Sequence, residues 1–166
     1  MATVQEKKNI LARDFMTRKI ISVSPESLIA DANKIIIEHG FSGLPVVDNN
    51  SRLIGIVTEY DIINKISGFN ASFFAKILSD IRESKNNNRP DLQTKSVSDL
   101  TVAEVMNKEP LVLEEDAPFE KVVDAFREHG KVNPIPIVNK QYELVGIISR
   151  SDILKPLNML SYIISK

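Results

Sequence analysis

A chain of 166 residues, 43% hydrophobic and 26% charged, is long enough to fill one core and falls outside the disordered and fibrous classes. Its 21 lysines and arginines against 22 acidic residues leave a net charge of -1, so bulk electrostatics favour neither nucleic acid nor an anionic membrane. The 0 cysteines remove disulfides, thiolate metal sites and a cysteine nucleophile, and are compatible with a reducing cytosol.

The polar stretch Met1 to Asn9 stands where a signal peptide needs an apolar core, and no apolar run approaches the length of a membrane span. The expectation is a soluble, cytoplasmic protein. Ile10 to Phe15 reads as a short helix or turn, and the β-branched Lys19-Ile20-Ile21-Ser22-Val23 predicts a strand. Ser24-Pro25-Glu26-Ser27 predicts a serine-capped helix start with proline in the first turn. Leu28, Ala32, Ile35 and Ile36 then share one helical stripe, and His39-Gly40 supplies a glycine stop. Leu44 to Val47 predicts a buried strand, Asp48 to Ser51 a turn and Leu53 to Val57 a second strand; a helix from Glu59 carries Ile62, Ile63 and Ile66.

From Ser67 to Leu100 the chain carries an insert, in which Phe74, Ile77, Leu78 and Ile81 predict a one-sided helix followed by a loop at Asn86 to Pro90. It serves either as a covered connector, the favoured role, or as a dimer or partner surface. Beyond it the same order returns. Leu111-Val112-Leu113 predicts a strand, and Phe119, Val122, Val123 and Phe126 line a helix. Ile135 to Val138 and Leu144 to Ile148 predict strands joined by a turn at Asn139 to Tyr142. Pro156, where the first half has Lys65, ends the last helix and redirects Leu157 to Ile164 onto the domain or across a dimer.

The two halves are copies. Leu144-Val145-Gly146-Ile147-Ile148-Ser149-Arg150-Ser151-Asp152-Ile153 repeats Leu53-Ile54-Gly55-Ile56-Val57-Thr58-Glu59-Tyr60-Asp61-Ile62 at an offset of 91 residues, whereas Met16 and His39 return as Met106 and His129 at an offset of 90. One residue was therefore gained between Gly130 and Pro136. A repeat of this length is a duplicated supersecondary unit. Each unit leaves a sheet face uncovered, so the two bury those faces against each other.

Thr58-Glu59-Tyr60-Asp61 and Ser149-Arg150-Ser151-Asp152 each follow a strand and open a helix. One reading is a capping box, hydroxyl at the N-cap and aspartate facing back to its amide. The other uses the same geometry for a ligand: the helix start favours a phosphate, and an acceptor-only carboxylate suits a pair of ribose hydroxyls. His39 and His129 precede glycines at helix ends, where contact with the helix dipole explains them, and no metal site is expected. Ser149 and Thr58 have no evident base and no glycine-rich phosphate loop is present, so no enzyme is expected.

On these residues the chain resembles a tandem pair of cystathionine beta-synthase (CBS) domains from about Leu11 to Leu154. Each half carries a Met, a strand, a helix, a proline-valine-type strand with an acidic or amide turn, and Gly-apolar-apolar-Thr/Ser-x-x-Asp. The resemblance implies an α+β fold of two β-α-β-β-α repeats, at 11–66 and 101–155, separated by the 67–100 insert and followed by a 156–166 tail. It implies pseudo-two-fold symmetry, two clefts between the repeats, and commonly a homodimer. It also implies a non-catalytic regulatory module without a cofactor, sensing AMP, ADP or ATP ahead of S-adenosylmethionine or dinucleotides and acting on an effector partner. Carried over by position, one cleft joins Ile147, Ser149, Ser151 and Asp152 to Thr17, Ile21, Phe41 and Ser42. The other joins Ile56, Thr58, Tyr60 and Asp61 to Asn107, Leu111, Val132 and Asn133. The apolar members would sandwich a base whose edge is read by backbone groups near Thr17 and Ser42.

The cleft ending in Asp152 is the first choice, because Ser42-Gly43 is small and open while Pro134 lacks an N–H donor. Arg150 is read as an exposed helix residue rather than a direct contact. The competing reading is a ligand-free interaction or dimerisation scaffold, in which the motifs only cap helices.

Overall fold

The computed structural model describes residues 9–67 and 100–155. The expected insert helix, the tail beyond Pro156 and the polar start before Asn9 lie outside the described residues. A short helix α1 (Ala12–Phe15) is followed by α2 (Ile29–His39), β1 (Gly43–Val47), β2 (Leu53–Thr58) and α3 (Glu59–Ser67). A 3-10 turn (Val102–Glu104) then precedes β3 (Leu113–Glu114), α4 (Phe119–Glu128), β4 (Ile135–Val138) and β5 (Leu144–Ile148). A last helix, α5, covers 150–155. This is the α+β repeat expected from the duplicated pattern.

Each half is built on an antiparallel hairpin, β1 with β2 and β4 with β5, and both hairpins carry a register shift just before the turn, at Val46/Val47 and Ile137/Val138. The turns are local chemistry. Asp48 Oδ1 accepts the amides of Asn50 and Arg52 at 2.8 and 2.9 Å, and Asn139 Oδ1 accepts those of Gln141 and Glu143 at 3.0 and 2.9 Å. The two hairpin tips also bind each other: the Leu53 amide donates to Tyr142 O and the Leu144 amide to Ser51 O.

The first strand of each repeat is shorter than its composition predicts. In the second half only Leu113 and Glu114 pair, parallel to β4. In the first half the expected strand at Lys19 to Val23 reduces to a single bridge, in which Val23 donates to Pro45 O at 3.0 Å and accepts from the Val47 amide at 3.1 Å. The cause is the same in both. Ile21 and Leu111 line the clefts between the repeats rather than continuing along the sheet.

Two cores result, and each is completed by the other half. Val23, Ile36, Leu44, Val46 and Val57 pack with Leu100 and Val102, at the start of the second repeat. Leu113, Val122, Ile135, Ile137 and Ile148 pack with Ala12 and Met16, at the start of the first. The segments leading into the repeats are thus exchanged, and hydrogen bonds tie them down symmetrically. Ala12 and Arg13 donate to Ala117 O and Glu115 O, while Val102 and Ala103 donate to Ser27 O and Pro25 O, all at 2.8 to 2.9 Å. Thr17 exchanges two backbone bonds with Ile147, and Asn107 exchanges two with Ile56.

This exchange explains where local signals mislead. The Ser24-Pro25-Glu26-Ser27 stretch is a turn, not a cap; α2 begins at Ile29, without a side-chain cap. Its first amide is satisfied instead by Leu100 O at 2.8 Å, and that of α4, at Phe119, by Ile10 O at 2.9 Å. A tertiary carbonyl does the work of a serine hydroxyl. Leu28 is accordingly exposed, and the buried stripe of α2 is Ile29, Ala32 and Ile36, with Ile35 at its margin. On α3 Ile62 is buried but Ile63 is 62% exposed. Gly40 ends α2 in the left-handed region at φ 65°, as its position predicts, whereas α4 ends at Glu128 with no such glycine. There the extra residue of the second half is taken up by a turn in which Val132 donates to His129 O.

Gly55 and Gly146 are where the exchanged segments cross the sheets. A Cβ on Gly55 would lie 2.8 Å from both Asn107 O and Met106 Sδ, and one on Gly146 would collide with Met16. Gly55→Ala is therefore expected to lower stability by about 1–3 kcal/mol through overpacking. Urea denaturation measures it, and an unchanged midpoint would contradict the close crossing.

Candidate functional site

The clefts between the repeats open into two cavities. The larger, about 470 Å³, is walled by Thr17, Ile21, residues 39–43, Asn133, Pro134 and, at the β5–α5 junction, Ile147, Ser149, Ser151, Asp152 and Lys155. The smaller, about 210 Å³, is walled by Ile56, Thr58, Tyr60, Asp61, Asn107, Pro110, Leu111 and residues 131–134. All eight residues named from sequence for the first cleft line the larger cavity, and all eight named for the second line the smaller. Sequence reasoning missed His39, Gly40, Lys155 and the reach of Asn133 into the first, and Pro110 and Lys131 in the second; Gly43 and Pro134, weighed there only for their backbone, line the first and both respectively. Lys155 was legible as the i+3 partner of Asp152 on a helix. Lys131 carries no local signal, since the gained residue shifts its register.

At the β5–α5 junction Asp152 is buried, 8% exposed. Its Oδ2 accepts the Ser149 amide at 2.8 Å and the Ser149 hydroxyl at 2.7 Å. Its Oδ1 accepts the Lys155 ammonium at 2.6 Å. Burial pushes the carboxyl pKa up, but the Lys155 ammonium and the two Ser149 donors outweigh it and hold the group below its ordinary value. The capping geometry is thus present, and it presents an ionised carboxylate to a cavity. Ser149 Oγ and Ser151 Oγ lie 2.7 Å apart beside it.

The floor between the cavities is a cross-repeat bridge. Asn133 Nδ2 donates to Ser42 Oγ at 2.9 Å, Asn133 Oδ1 accepts the Arg150 amide at 3.1 Å, and Ser42 O accepts the Glu59 amide at 3.1 Å. The Arg150 guanidinium turns away from the cavity and donates to Gly130 O and Val132 O, tying α5 to the loop after α4. The rings of His39 and Phe41, which also line this cavity, stack at 5.1 Å, offering an aromatic plate. The Thr17 amide is itself engaged, donating to Ile147 O at 2.9 Å.

The smaller cavity repeats this frame with different chemistry. Asp61 Oδ2 accepts the Thr58 amide at 2.9 Å and hydroxyl at 2.6 Å. Lys131 lies 5.2 Å from the Tyr60 ring centre and donates to its hydroxyl at 3.3 Å. Hydrogen bonding from Asn64 and then the Lys131 ammonium lower the Tyr60 phenol pKa. Among the described residues no group of three potential metal ligands converges, and no helix is long and apolar enough to cross a membrane.

A family model described as the CBS domain matches residues 12–68 and 102–158. The chain is similar to inosine-5'-monophosphate dehydrogenase of Methanocaldococcus jannaschii, 30% identical over 144 residues that make up 87% of this chain and 23% of that protein. It is likewise similar to the chloroplastic CBS domain-containing protein CBSX1 of Arabidopsis thaliana, 30% identical over 86% of this chain and 61% of that one. The chain therefore spans less than two thirds of either relative. Among solved structures, CBSX2 in complex with AMP superposes with a TM-score of 0.65 at 24% identity, covering 91% of this chain and 98% of the other. The CBS domain pair of protein MJ0100, in complex with 5'-methylthioadenosine and S-adenosyl-L-methionine, gives 0.63 at 23% identity over 90% and 97%. At these identities the likeness shows the fold.

The depressed pKa of Asp152 sets a pH signature. Its stabilising effect is complete above the unfolded carboxyl pKa of about 4 and is lost as pH falls through the lower folded value. Asp152→Asn should therefore cost about 1 kcal/mol at pH 7. Urea titrations at successive pH values should show that gap closing below pH of about 4. A gap undiminished well below that range would refute the assignment.

Proposed function

The chain belongs to the CBS domain family, and from that premise we propose that it is a non-catalytic regulatory module whose larger inter-repeat cavity takes an adenosine-containing ligand. The observation that carries the reading is a cavity of about 470 Å³ walled by both repeats, with an aromatic plate at His39 and Phe41 and an ionised, buried carboxylate at Asp152. An aromatic and aliphatic wall suits a purine, and a carboxylate that only accepts hydrogen bonds suits a ribose diol. That relatives of this fold were solved with AMP, and with S-adenosyl-L-methionine and 5'-methylthioadenosine, supports the ligand class.

Regulation follows from differential affinity. A ligand in this cavity touches Thr17 and Ile21 on one side and the β5–α5 junction on the other. It thereby favours one setting of the exchanged segment relative to both repeats, and that setting is read by a second copy or an effector protein. The smaller cavity, at about 210 Å³, is the weaker site.

Calorimetric titration with AMP, ATP and S-adenosylmethionine tests the reading. One of these should bind saturably, Asp152→Ala should weaken it at least about tenfold, a change of ~1.4 kcal/mol, and Asp61→Ala should leave the main event in place. Folded wild-type protein that takes up none of the three would overturn the proposal in favour of a ligand-free scaffold.

A further inference from the structure

We propose that Lys155 sets the charge preference of the larger cavity, so that it selects a phosphate-bearing adenosine ligand over a neutral or sulfonium-bearing one. The inference deepens the adenosine reading and rests on it. Lys155 and Asp152 both line the cavity, with Nζ 2.6 Å from Oδ1. The aspartate side chain is 7% exposed and the lysine side chain 67% exposed, so the negative partner is enclosed while the positive one is open to solvent. An ammonium carries three donors, and the bond to Asp152 uses one. Among the described residues the other two meet no acceptor, and they can reach an anion entering beside the ribose position.

Without Lys155, Asp152 would present a bare negative charge to the same space and repel phosphate. With it, the carboxylate is neutralised without being removed, so it still accepts from a sugar hydroxyl while the site tolerates and attracts phosphate oxygens. A sulfonium placed there meets like charge. The smaller cavity shows the contrast within one molecule. The position matching Lys155 is Asn64, an uncharged amide. Its own cation, Lys131, is directed onto the Tyr60 ring and hydroxyl rather than onto Asp61. Among the described residues the duplicated frame thus carries a cation on the carboxylate in one cavity and not in the other.

The test compares ratios rather than absolute affinities, because a uniform loss from weakened packing cancels in a ratio. Adenosine, AMP and S-adenosylmethionine are titrated into wild type, Lys155→Met and Lys155→Arg, each checked for folding by thermal unfolding. In wild type AMP should bind at least about tenfold tighter than adenosine at low salt, with the ratio shrinking as salt rises. Lys155→Met should bring the ratio near one and improve S-adenosylmethionine relative to AMP, while Lys155→Arg should keep the wild-type order. If Lys155→Met does not fold, Lys155→Gln carries the same expectation. An AMP-to-adenosine ratio unchanged by removing the charge, or equal binding of both by wild type, overturns the role of Lys155 and leaves the adenosine reading intact. Failure of wild type to bind adenosine, AMP or S-adenosylmethionine overturns the adenosine reading, and the Lys155 proposal falls with it.

Discussion

The exchange of leading segments between the two repeats is the constraint on which the rest of the structure depends. Ala12 and Met16 sit in the core of the second repeat, and Leu100 and Val102 in that of the first. Neither hydrophobic cluster is complete without residues from the other half, so burial of apolar surface couples the repeats. The exchanged segments also satisfy the open helix starts at Ile29 and Phe119 through backbone carbonyls. They then run on as Thr17 to Ile21 and Asn107 to Leu111 to form one wall of each cavity. Folding and cavity formation therefore use the same contacts.

Asp152 shows how one group serves both. A capping aspartate belongs at a helix start because it satisfies an amide that the helix leaves unpaired. Packing at the junction between two repeats buries that aspartate while leaving it in the wall of the cavity. Burial alone would favour the neutral acid; the Ser149 donors and Lys155 keep the anion. The contest between capping and ligand binding is thus not exclusive, since the cap prepares the acceptor.

Duplication made the frame symmetric, and side chains have since made it unequal. Gly43 permits β1 to approach Thr58 within 2.8 Å of where a Cβ would stand, and its counterpart position holds Pro134. Asn133 joins Ser42 across the middle, so the two cavities share a wall and a change in one loop is felt in both. Phe41 provides an aromatic plate in one cavity where the other has Lys131 and Val132. The larger volume falls on the side with the smaller loop residues.

The repeat, the hairpins and the helix order were legible in the chain, because each rests on local periodicity or on a motif present twice in register; the sixteen cleft residues came from the resemblance to a CBS pair, carried over by position. The turn chemistry at Asp48 and Asn139 was legible for the same reason, since a side chain bonds its own backbone two and four residues on. What the chain alone could not display were interactions between residues far apart in it. The start of α2 moved from Ser24 to Ile29 because Leu100, 71 positions later, supplies the carbonyl that a local cap would have supplied. The strand at Lys19 to Val23 shrank to one bridge because its isoleucine was drawn to an inter-repeat cleft. The exposed Arg150 ties its helix to Gly130 and Val132, and Lys131 enters the smaller cavity beside Tyr60. Local pattern determines which elements form, since its energies act within a turn or a pleat; the contents of a cavity between repeats are decided only when distant segments compete for the same donors and the same buried space.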